Sequence, residues 1–301
     1  MCFDSRVATI GKLRVRYLTA GRPSEAGKGP ALVLLHGGGE SALSWRWVMP
    51  ALAKRYYVLA PDLPGCGDSD LVGNDYEAGL YARFAGDFVE AMEIDRAVVI
   101  GHSLGGLAAI QMSLEDRGKR ACALVLIDSA GLGRELHPAL RLLTLPGLGE
   151  WSTLCASLPL GQIQRLCWRA SVCFADPTSV PLDWYVDQFW TGQRAGLLWD
   201  QLAVSRSLFG QDGQNEIVLD RLSHLDVPVL LVWGDSDEII PIAHAQQALR
   251  QLRSGRLAVI PDCGHMPQVE RPELLLEAVL PFLAAVTKDL FGTSSSVARA
   301  G

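Results

Sequence analysis

One short segment, residues 97–110, constrains the fold more than any other part of the chain. A run of β-branched apolar residues, Val98-Val-Ile100, leads directly into Gly101-His-Ser-Leu-Gly105, and the apolar stretch that follows has helical character. Strand, sharp turn and helix in this order place the central residue, Ser103, at the tip of a strained turn. Glycine is needed on both sides because the strand and the helix approach each other closely. The segment therefore predicts a strand–turn–helix unit with an exposed serine.

The other apolar runs predict a mostly parallel sheet. An antiparallel hairpin is indicated over residues 7–20, and a polar loop over 22–29 follows it. Four further strands are predicted at 31–35, 56–60, 97–101 and 123–127, and they alternate with helical stretches. Later elements are two strands and a helix, at 227–233, 257–260 and 272–286. This series indicates an α/β fold whose parallel strands end at one edge, where ligands bind in open sheets.

Residues 131–224 differ from both flanks, because helical periodicity replaces the strand runs. Five of the eight tryptophans fall in this segment, namely Trp151, Trp168, Trp184, Trp190 and Trp199. We therefore predict a helical cap over 131–224, inserted into a core formed by 1–130 and 225–290. A disordered tail is predicted over 291–301. The large aromatic side chains either line an apolar pocket or fix the cap to the core.

A serine becomes nucleophilic only when a base removes its proton, and the base is usually a histidine oriented by a carboxylate. His265 is the candidate base, since it follows Gly264 on the loop after the last predicted strand. Candidate acids follow the strand at 227–233, within Gly234-Asp-Ser-Asp-Glu238. Asp128, directly after the strand at 123–127, is a fallback acid. The remaining histidines have plainer interpretations: His36 and His102 orient backbone in glycine-rich turns, and His137, His224 and His244 are expected at the surface.

A glycine triplet completes the set of motifs. The strand at 31–35 leads into His36-Gly-Gly-Gly39, whose backbone N–H groups can point at a developing negative charge without obstruction by side chains. Taken together with Pro61-Asp-Leu-Pro-Gly-Cys-Gly-Asp-Ser69, Gly101–Gly106, Gly234–Asp237 and Gly264-His265, this order of motifs resembles the α/β-hydrolase-fold serine hydrolase family, over roughly residues 10 to 285.

The resemblance implies specific roles for residues. It points to Ser103 as the nucleophile, His265 as the base and Asp237 as the acid. The oxyanion donors would be the N–H groups of Gly38 and Leu104, with Gly37 or Gly39 as alternatives to Gly38. Asp62 would have a structural role. Substrate contacts are expected from a wider set, namely Gly37, Gly39, His102, Trp190, Arg194 and Met266.

Hydrolysis of a carboxylic ester of an apolar or aromatic small molecule is the first functional prediction. The alternative is hydrolysis of a carbon–carbon bond in a diketone-like ring-cleavage product. Relatives of that kind also carry a triple-glycine loop and a cap arginine, here Arg194 or Arg206, but many have tryptophan where Met266 stands. Ser103 argues against epoxide hydrolases and haloalkane dehalogenases, which use a carboxylate nucleophile. Gly39 and Leu104 argue against iminopeptidases. Perhydrolysis is a side activity that this triad could support.

A function of another class stays open, because some proteins of this fold keep the triad and act as small-molecule receptors. A receptor would react once or very slowly and would change conformation on binding. Turnover therefore distinguishes a receptor from an enzyme.

Composition limits the remaining partners. A net charge of −6 disfavours nucleic acid, and no apolar run reaches the ~18 residues of a membrane span. The first residues carry no signal-peptide pattern. The seven cysteines are scattered without metal-ligand spacing, so we expect a reduced, cytoplasmic protein with no metal and no cofactor. A small-molecule substrate is the expected partner, and the sequence is compatible with a homo-oligomer.

Overall fold

A computed structural model describes residues 3–22, 30–73, 76 and 79–291 of the 301-residue chain. Within these residues the strands are β1 Asp4–Ile10, β2 Leu13–Ala20, β3 Ala31–Leu35, β4 Val58–Pro61, β5 Ala97–His102, β6 Ala121–Ile127, β7 Phe209–Gly210, β8 Gly213–Gln214, β9 Val229–Gly234 and β10 Gly255–Ile260. The predicted polar loop, except Arg22, and the predicted tail, except Phe291, lie outside the described residues.

Eight of these strands form one sheet in the order β1-β2-β4-β3-β5-β6-β9-β10. β1 and β2 pair antiparallel, as do β2 and β4, and every later pair from β4 to β10 is parallel. The predicted hairpin and the mostly parallel sheet are therefore confirmed. Because β3, β4, β5, β6 and β9 run in the same direction, the loops after them emerge at one edge, which collects the predicted site segments.

Helices cover both faces of the sheet and fill the long connection between β6 and β9. They are α1 Met49–Leu52, α2 Leu80–Ala91, α3 Leu104–Glu115, α4 Pro138–Leu143, α5 Leu148–Ala156, α6 Pro159–Cys173, α7 Leu182–Gln193, α8 Leu197–Leu208, α9 Ala243–Gln251, α10 Pro267–Glu270 and α11 Pro272–Phe291. Short 3-10 helices lie at Ala42–Trp45, Pro177–Ser179 and Leu219–His224. None of the helices in the described part of the chain is long and apolar enough to cross a membrane.

The hydrophobic core consists of two layers, one on each face of the sheet. Successive side chains of a strand point to opposite faces. In β5, Val99 therefore packs with α2 and α3, whereas Val98 and Ile100 pack in the opposite layer with α11. All residues of β5 are buried, as expected for a parallel strand covered on both sides. Burial on both faces holds β5, and with it the turn after it, firmly in place.

The β7–β8 hairpin and the end of α11 differ from the sequence-based prediction. A two-stranded hairpin, β7 with β8, lies at the end of the helical connection, where only helix was expected. Its strands have two residues each, which is too short for a periodic pattern to be recognised in the sequence. In addition, α11 continues to Phe291, past its predicted end at residue 286, although Pro281 lies inside it.

Candidate active site

The turn after β5 holds Ser103 in a strained conformation. Its φ of 51° and ψ of −113° lie in a region that L-residues rarely adopt, between the end of β5 and the start of α3. Neighbouring backbone holds this geometry, because Ser103 N–H donates to the Ile127 carbonyl at 2.9 Å and the Ser103 carbonyl accepts from Ala130 N–H at 3.1 Å. Strain of this kind is typical of functional positions.

Glycine is needed around Ser103 because backbone segments touch there. A Cβ on Gly101 would lie 2.3 Å from the Gly105 carbonyl oxygen, and a Cβ on Gly105 would lie 2.2 Å from that of Leu35. A Cβ on Gly106 would lie 2.4 Å from Ser129 Oγ. The three glycines thus allow α3 to pack directly against β3, β5 and the loop after β6.

His265 and Asp237 form a buried hydrogen-bonded pair. Asp237 Oδ2 accepts from His265 Nδ1 at 2.7 Å, and the two side chains are almost fully buried. Asp237 Oδ1 accepts two backbone N–H groups, from Ile239 at 2.8 Å and Ile240 at 3.0 Å, which fixes the carboxylate. A carboxylate on Nδ1 selects the tautomer that leaves Nε2 as the basic nitrogen. Asp235, two residues earlier, is exposed, so burial distinguishes the two acids of this loop.

The loop that carries His265 is tied to its surroundings by contacts distant in sequence. Its backbone N–H donates to the Cys173 carbonyl, at the end of α6, at 2.8 Å. Gly264 N–H donates to the buried carboxylate of Glu270 at 2.7 Å, and the other oxygen of Glu270 accepts from Asp176 N–H at 3.0 Å. Glu270 therefore connects the histidine loop to the helical connection. This role could not be inferred from the sequence, because a glutamate at a helix end is usually exposed.

The glycine triplet lies beside Ser103. His36 Nδ1–H donates to the Gly37 carbonyl at 2.8 Å, and Nε2 accepts from Leu63 N–H at 2.9 Å, so the buried imidazole fixes the loop. Burial lowers the pKa of His36 to about 4, which keeps it neutral. A Cβ on Gly37 would contact the side chains of His102 and Ser103, whereas a Cβ on Gly38 would meet nothing within 4 Å. Gly38 therefore borders open space.

The second predicted donor lies at the start of a helix. α3 begins at Leu104, directly after Ser103. The first four N–H groups of a helix have no acceptor within it. The Leu104 N–H is thus the first of these groups, and the positive end of the α3 dipole adds to its ability to stabilise an anion.

His102 connects the serine turn to the histidine loop. Its Nε2–H donates to the His265 carbonyl oxygen at 2.6 Å, and the two rings lie 4.9 Å apart. Burial, and then the charge of His265, lower the pKa of His102 well below its usual range. The backbone-orienting role expected of His102 matches this contact, which holds the His265 loop against the residue that precedes Ser103.

Of the other residues predicted to contact substrate, Met266, Trp190 and Arg194 lie in different surroundings. Met266 is buried with Trp184, Val269 and neighbours between α6, α7 and α10. Trp190 is 67% exposed and packs edge-on against Phe189, and Arg194 Nη1 donates to the Gly67 carbonyl. The structure therefore places Met266 next to the histidine loop and does not bring Trp190 to the cavity described below.

A cavity of about 540 Å³ lies among α4, α5, α6 and α8. Its lining is mainly apolar and includes Trp151, Trp168 and Leu202, together with the charged residues Arg165 and Arg169. The lining does not include Ser103 or His265. Arg169 lines the cavity and also reaches the glycine triplet, because its Nη1 lies 2.6 Å from the position that a Cβ on Gly39 would occupy.

The charges around this cavity are unbalanced. Arg169 donates to the carboxylate of Glu40, which directly follows the glycine triplet and is 3% exposed. Burial raises the pKa of Glu40, and Arg169 opposes that shift. The contacts of Arg165 are to neutral oxygens, at 2.7 Å from the Gln188 carbonyl and 3.3 Å from Gln162 Oε1. Two guanidinium groups thus face one carboxylate, an arrangement that sequence analysis did not foresee because the partners are 129 residues apart.

One group of described side chains, Asp128, Asp237 and His265, could offer three metal-ligand atoms within 4.8 Å of one another. Asp237 and His265 already bind each other, and the hydrogen on Nδ1 occupies the lone pair that a metal would need. The arrangement is better suited to proton transfer than to metal binding.

His244 is not at the surface, so that expectation was wrong. Its side chain is buried at the start of α9, where Nε2 contacts Glu135 Oε2 at 2.6 Å. The absence of a side chain on Gly133 leaves room for the ring, since a Cβ there would lie 2.3 Å from Nε2. The histidine therefore fastens the loop after β6 to α9.

The fold and these motifs define a hydrolase class, and comparison with known proteins identifies it. Residues 32–278 match the alpha/beta hydrolase family, to which the chain therefore belongs. The predicted family and fold class are confirmed.

Relatives within the family differ in the reactions their names describe. A 2-hydroxy-6-oxo-6-(2'-aminophenyl)hexa-2,4-dienoic acid hydrolase of Metapseudomonas resinovorans is 29% identical over 291 residues, covering 94% of this chain and 91% of the relative. The structure of 2-hydroxy-6-oxo-6-phenylhexa-2,4-dienoate hydrolase from Rhodococcus sp. strain RHA1 is similar with a TM-score of 0.71 and 26% identity, covering 95% and 99% of the two chains. A membrane phospholipase A, a bacterial virulence factor, gives a TM-score of 0.77 and 25% identity, covering 95% and 87%.

Proposed function

We propose that this protein is a serine hydrolase that cleaves carboxylic esters of apolar or aromatic small molecules through an acyl-enzyme. The observation that carries the proposal is the buried 2.7 Å hydrogen bond between His265 Nδ1 and Asp237 Oδ2, on a loop whose His265 carbonyl contacts His102, the residue before a serine held at a φ of 51°. A buried imidazole–carboxylate pair next to a strained serine is suited to deprotonating that serine.

In the proposed reaction, His265 Nε2 accepts the proton of Ser103 Oγ while Oγ attacks the ester carbonyl carbon. Asp237 stabilises the imidazolium that forms. The tetrahedral intermediate collapses, and the alcohol leaves with the proton from His265. Water, deprotonated by His265, then attacks the acyl-enzyme, and the acid is released as Ser103 recovers its proton.

Backbone N–H groups of Leu104 and Gly38 would stabilise the oxyanion. Support comes from the position of Leu104 at the start of α3 and from the open space around Gly38. Loss of one such donor typically costs about 10²–10³ in rate.

We further propose that residues 131–224 act as a cap that selects the substrate. An apolar cavity among α4, α5, α6 and α8 supports this proposal. Two contacts between this segment and the core, Arg169 with Glu40 and Cys173 with His265, support it as well. The mainly apolar lining favours an apolar or aromatic acyl or alkyl group.

Carbon–carbon bond hydrolysis is a second candidate, and the excess positive charge of Arg165 and Arg169 favours it. Relatives named as dienoate hydrolases act, by their names, on substrates with a carboxylate. Of the arginines first considered for this role, Arg206 is bound by Glu150 through two hydrogen bonds at 2.7 and 2.8 Å, and Arg194 contacts Gly67. Arg165 and Arg169, which line the cavity, are better placed.

Steady-state hydrolysis of p-nitrophenyl esters of graded chain length tests the proposal, with Ser103→Ala as control. Turnover that Ser103→Ala abolishes supports an esterase, and the preferred chain length measures the binding pocket. A folded protein that turns over none of these esters would contradict the proposed activity.

A parallel assay with 2-hydroxy-6-oxo-6-phenylhexa-2,4-dienoate decides between the two candidates. Faster release of benzoate from this compound than of acid from the best ester would favour the second candidate. A single stoichiometric reaction with either class of compound, without turnover, would indicate a receptor.

A further inference from the structure

Asp128 is a buried acid that the proposed reaction does not use. It follows β6, is fully buried, and lies within 4.8 Å of Asp237 and His265, measured between their side-chain polar atoms. Its backbone has a φ of 43°, and its N–H donates to the Val232 carbonyl of β9 at 3.0 Å. The fold therefore holds this side chain against Asp237 at the cost of backbone strain.

Each carboxylate receives a different number of hydrogen bonds. Asp237 accepts three, from His265 Nδ1–H and from the N–H groups of Ile239 and Ile240. Asp128 accepts one, from Gly234 N–H to Oδ1 at 3.0 Å, and Oδ2 receives none from the described part of the chain. Two carboxyl groups with oxygens within 4.8 Å of each other repel strongly when both are ionised. A proton on one of them removes that repulsion, and Asp128, which accepts fewer hydrogen bonds, is the better place for it.

We propose that Asp128 is a positioning residue that stays protonated at neutral pH and donates its carboxyl hydrogen to Asp237. This inference rests on the proposed role of Asp237 as the acid that orients His265. The hydrogen bond would fix the rotation of the Asp237 carboxylate while leaving it a single negative charge next to His265. Asp128 is not a catalytic residue, since it acts through Asp237.

The surrounding charges agree with a neutral Asp128. Burial, followed by the negative charge of Asp237, raises the pKa of Asp128 well above its usual range, and Gly234 N–H opposes the shift only partly. The titratable groups that face it are Asp237, His265, Cys263 and Glu270. Of these, His265 alone carries positive charge when protonated, and Asp237 lies on its Nδ1 side.

The first test compares Asp128→Asn and Asp128→Ala. Asparagine is nearly isosteric, tolerates the positive φ, and can donate N–H to Asp237 while its oxygen accepts from Gly234. We expect Asp128→Asn to keep kcat/KM within about threefold of the wild type, with the same acidic limb of the pH profile. Asp128→Ala should lower kcat about tenfold with little change in KM, because the hydrogen bond to Asp237 is lost.

Two outcomes would overturn the proposal. A loss of activity in Asp128→Asn as large as that in Asp237→Asn, or an acidic limb displaced towards lower pH, would mean that Asp128 is the charged partner of His265. Wild-type kinetics in a folded Asp128→Ala would mean that Asp128 positions nothing. Should Asp128→Ala not fold, Asp128→Asn decides.

A second measurement is independent of any activity, and so separates this proposal from the proposed function. A buried acid with a raised pKa binds its proton more tightly in the folded state, so stability falls as pH rises from about 4 towards the folded pKa. Urea unfolding should show Asp128→Asn gaining stability relative to the wild type as pH rises through this window. A difference independent of pH would contradict a protonated Asp128 even if the protein hydrolysed no ester.

Discussion

Nearby residues identify some members of the proposed triad more clearly than others. Ser103 and His265 sit in motifs readable within a few residues, whereas Asp237 had three acidic competitors. The structure separates them by burial and contact: Asp237 hydrogen-bonds to His265, Asp235 is exposed, and Asp128 lies within 4.8 Å of the pair without a hydrogen bond to His265. The sequence offered Asp128 only as a fallback acid, and it gave no sign of the contact between Asp128 and Asp237, of the role of Glu270 or of the Glu40–Arg169 pair, because the partners come from distant segments.

Asp237→Asn should lower kcat by about 10⁴, because an amide favours the wrong tautomer of His265. Asp235→Asn is a matched control on the same loop and should keep wild-type kinetics, since Asp235 contacts Ser236 and the Cys263 backbone rather than His265. Steady-state kinetics of the two variants measure the difference. Equal losses would show that the loop, rather than the Asp237 carboxylate, matters.

His36 gives a prediction for acid stability. Its folded pKa is about 4, below the usual value of 6.5, so the unfolded chain binds the extra proton first. Stability should therefore fall as pH drops from about 6.5 to 4, by up to about 3 kcal/mol. Urea unfolding across this range measures the slope, and His36→Gln, which cannot titrate, should have a shallower one. Parallel slopes for the two proteins would remove His36 as the cause.

At the scale of elements, strands were easier to predict than the segments between them. β3, β5, β6 and β9 are buried on both sides, so each appears as a continuous apolar run. β4 begins at Val58, two residues after its predicted start, because Tyr56 and Tyr57 extend the apolar run beyond the strand. The β7–β8 hairpin has too few residues to leave a pattern.

The packing of α3 on the sheet depends on Gly105. Gly105→Ala should destabilise the protein by about 3 kcal/mol, because the added Cβ would lie 2.2 Å from the Leu35 carbonyl oxygen. Gly38→Ala, where a Cβ meets nothing within 4 Å, is the control and should change stability by no more than about 0.5 kcal/mol. Denaturant titration compares them. Equal stability of the two variants would mean that α3 can shift away from β3 without cost.

At the scale of the molecule, the Glu40–Arg169 ion pair joins the glycine loop of the sheet edge to α6. Arg169→Met should destabilise the protein by about 3 kcal/mol, since Glu40 would remain buried without its partner. Adding Glu40→Gln should restore most of that loss, because no buried charge is then left uncompensated. Thermal or urea unfolding of both variants gives the answer, and wild-type stability in Arg169→Met would show that the pair does not hold the two segments together.

Detection of an acyl group on Ser103 is the most direct test of the proposed acyl-enzyme mechanism. The protein is mixed with p-nitrophenyl acetate, quenched in acid at short times, and analysed by intact and peptide mass spectrometry. In the wild type we expect an acetyl group on Ser103 that accumulates and then decays. In Ser103→Ala we expect no acetyl group at this position. Ester turnover with the acetyl group on another residue, or undiminished turnover in Ser103→Ala, would contradict a reaction through an acylated Ser103.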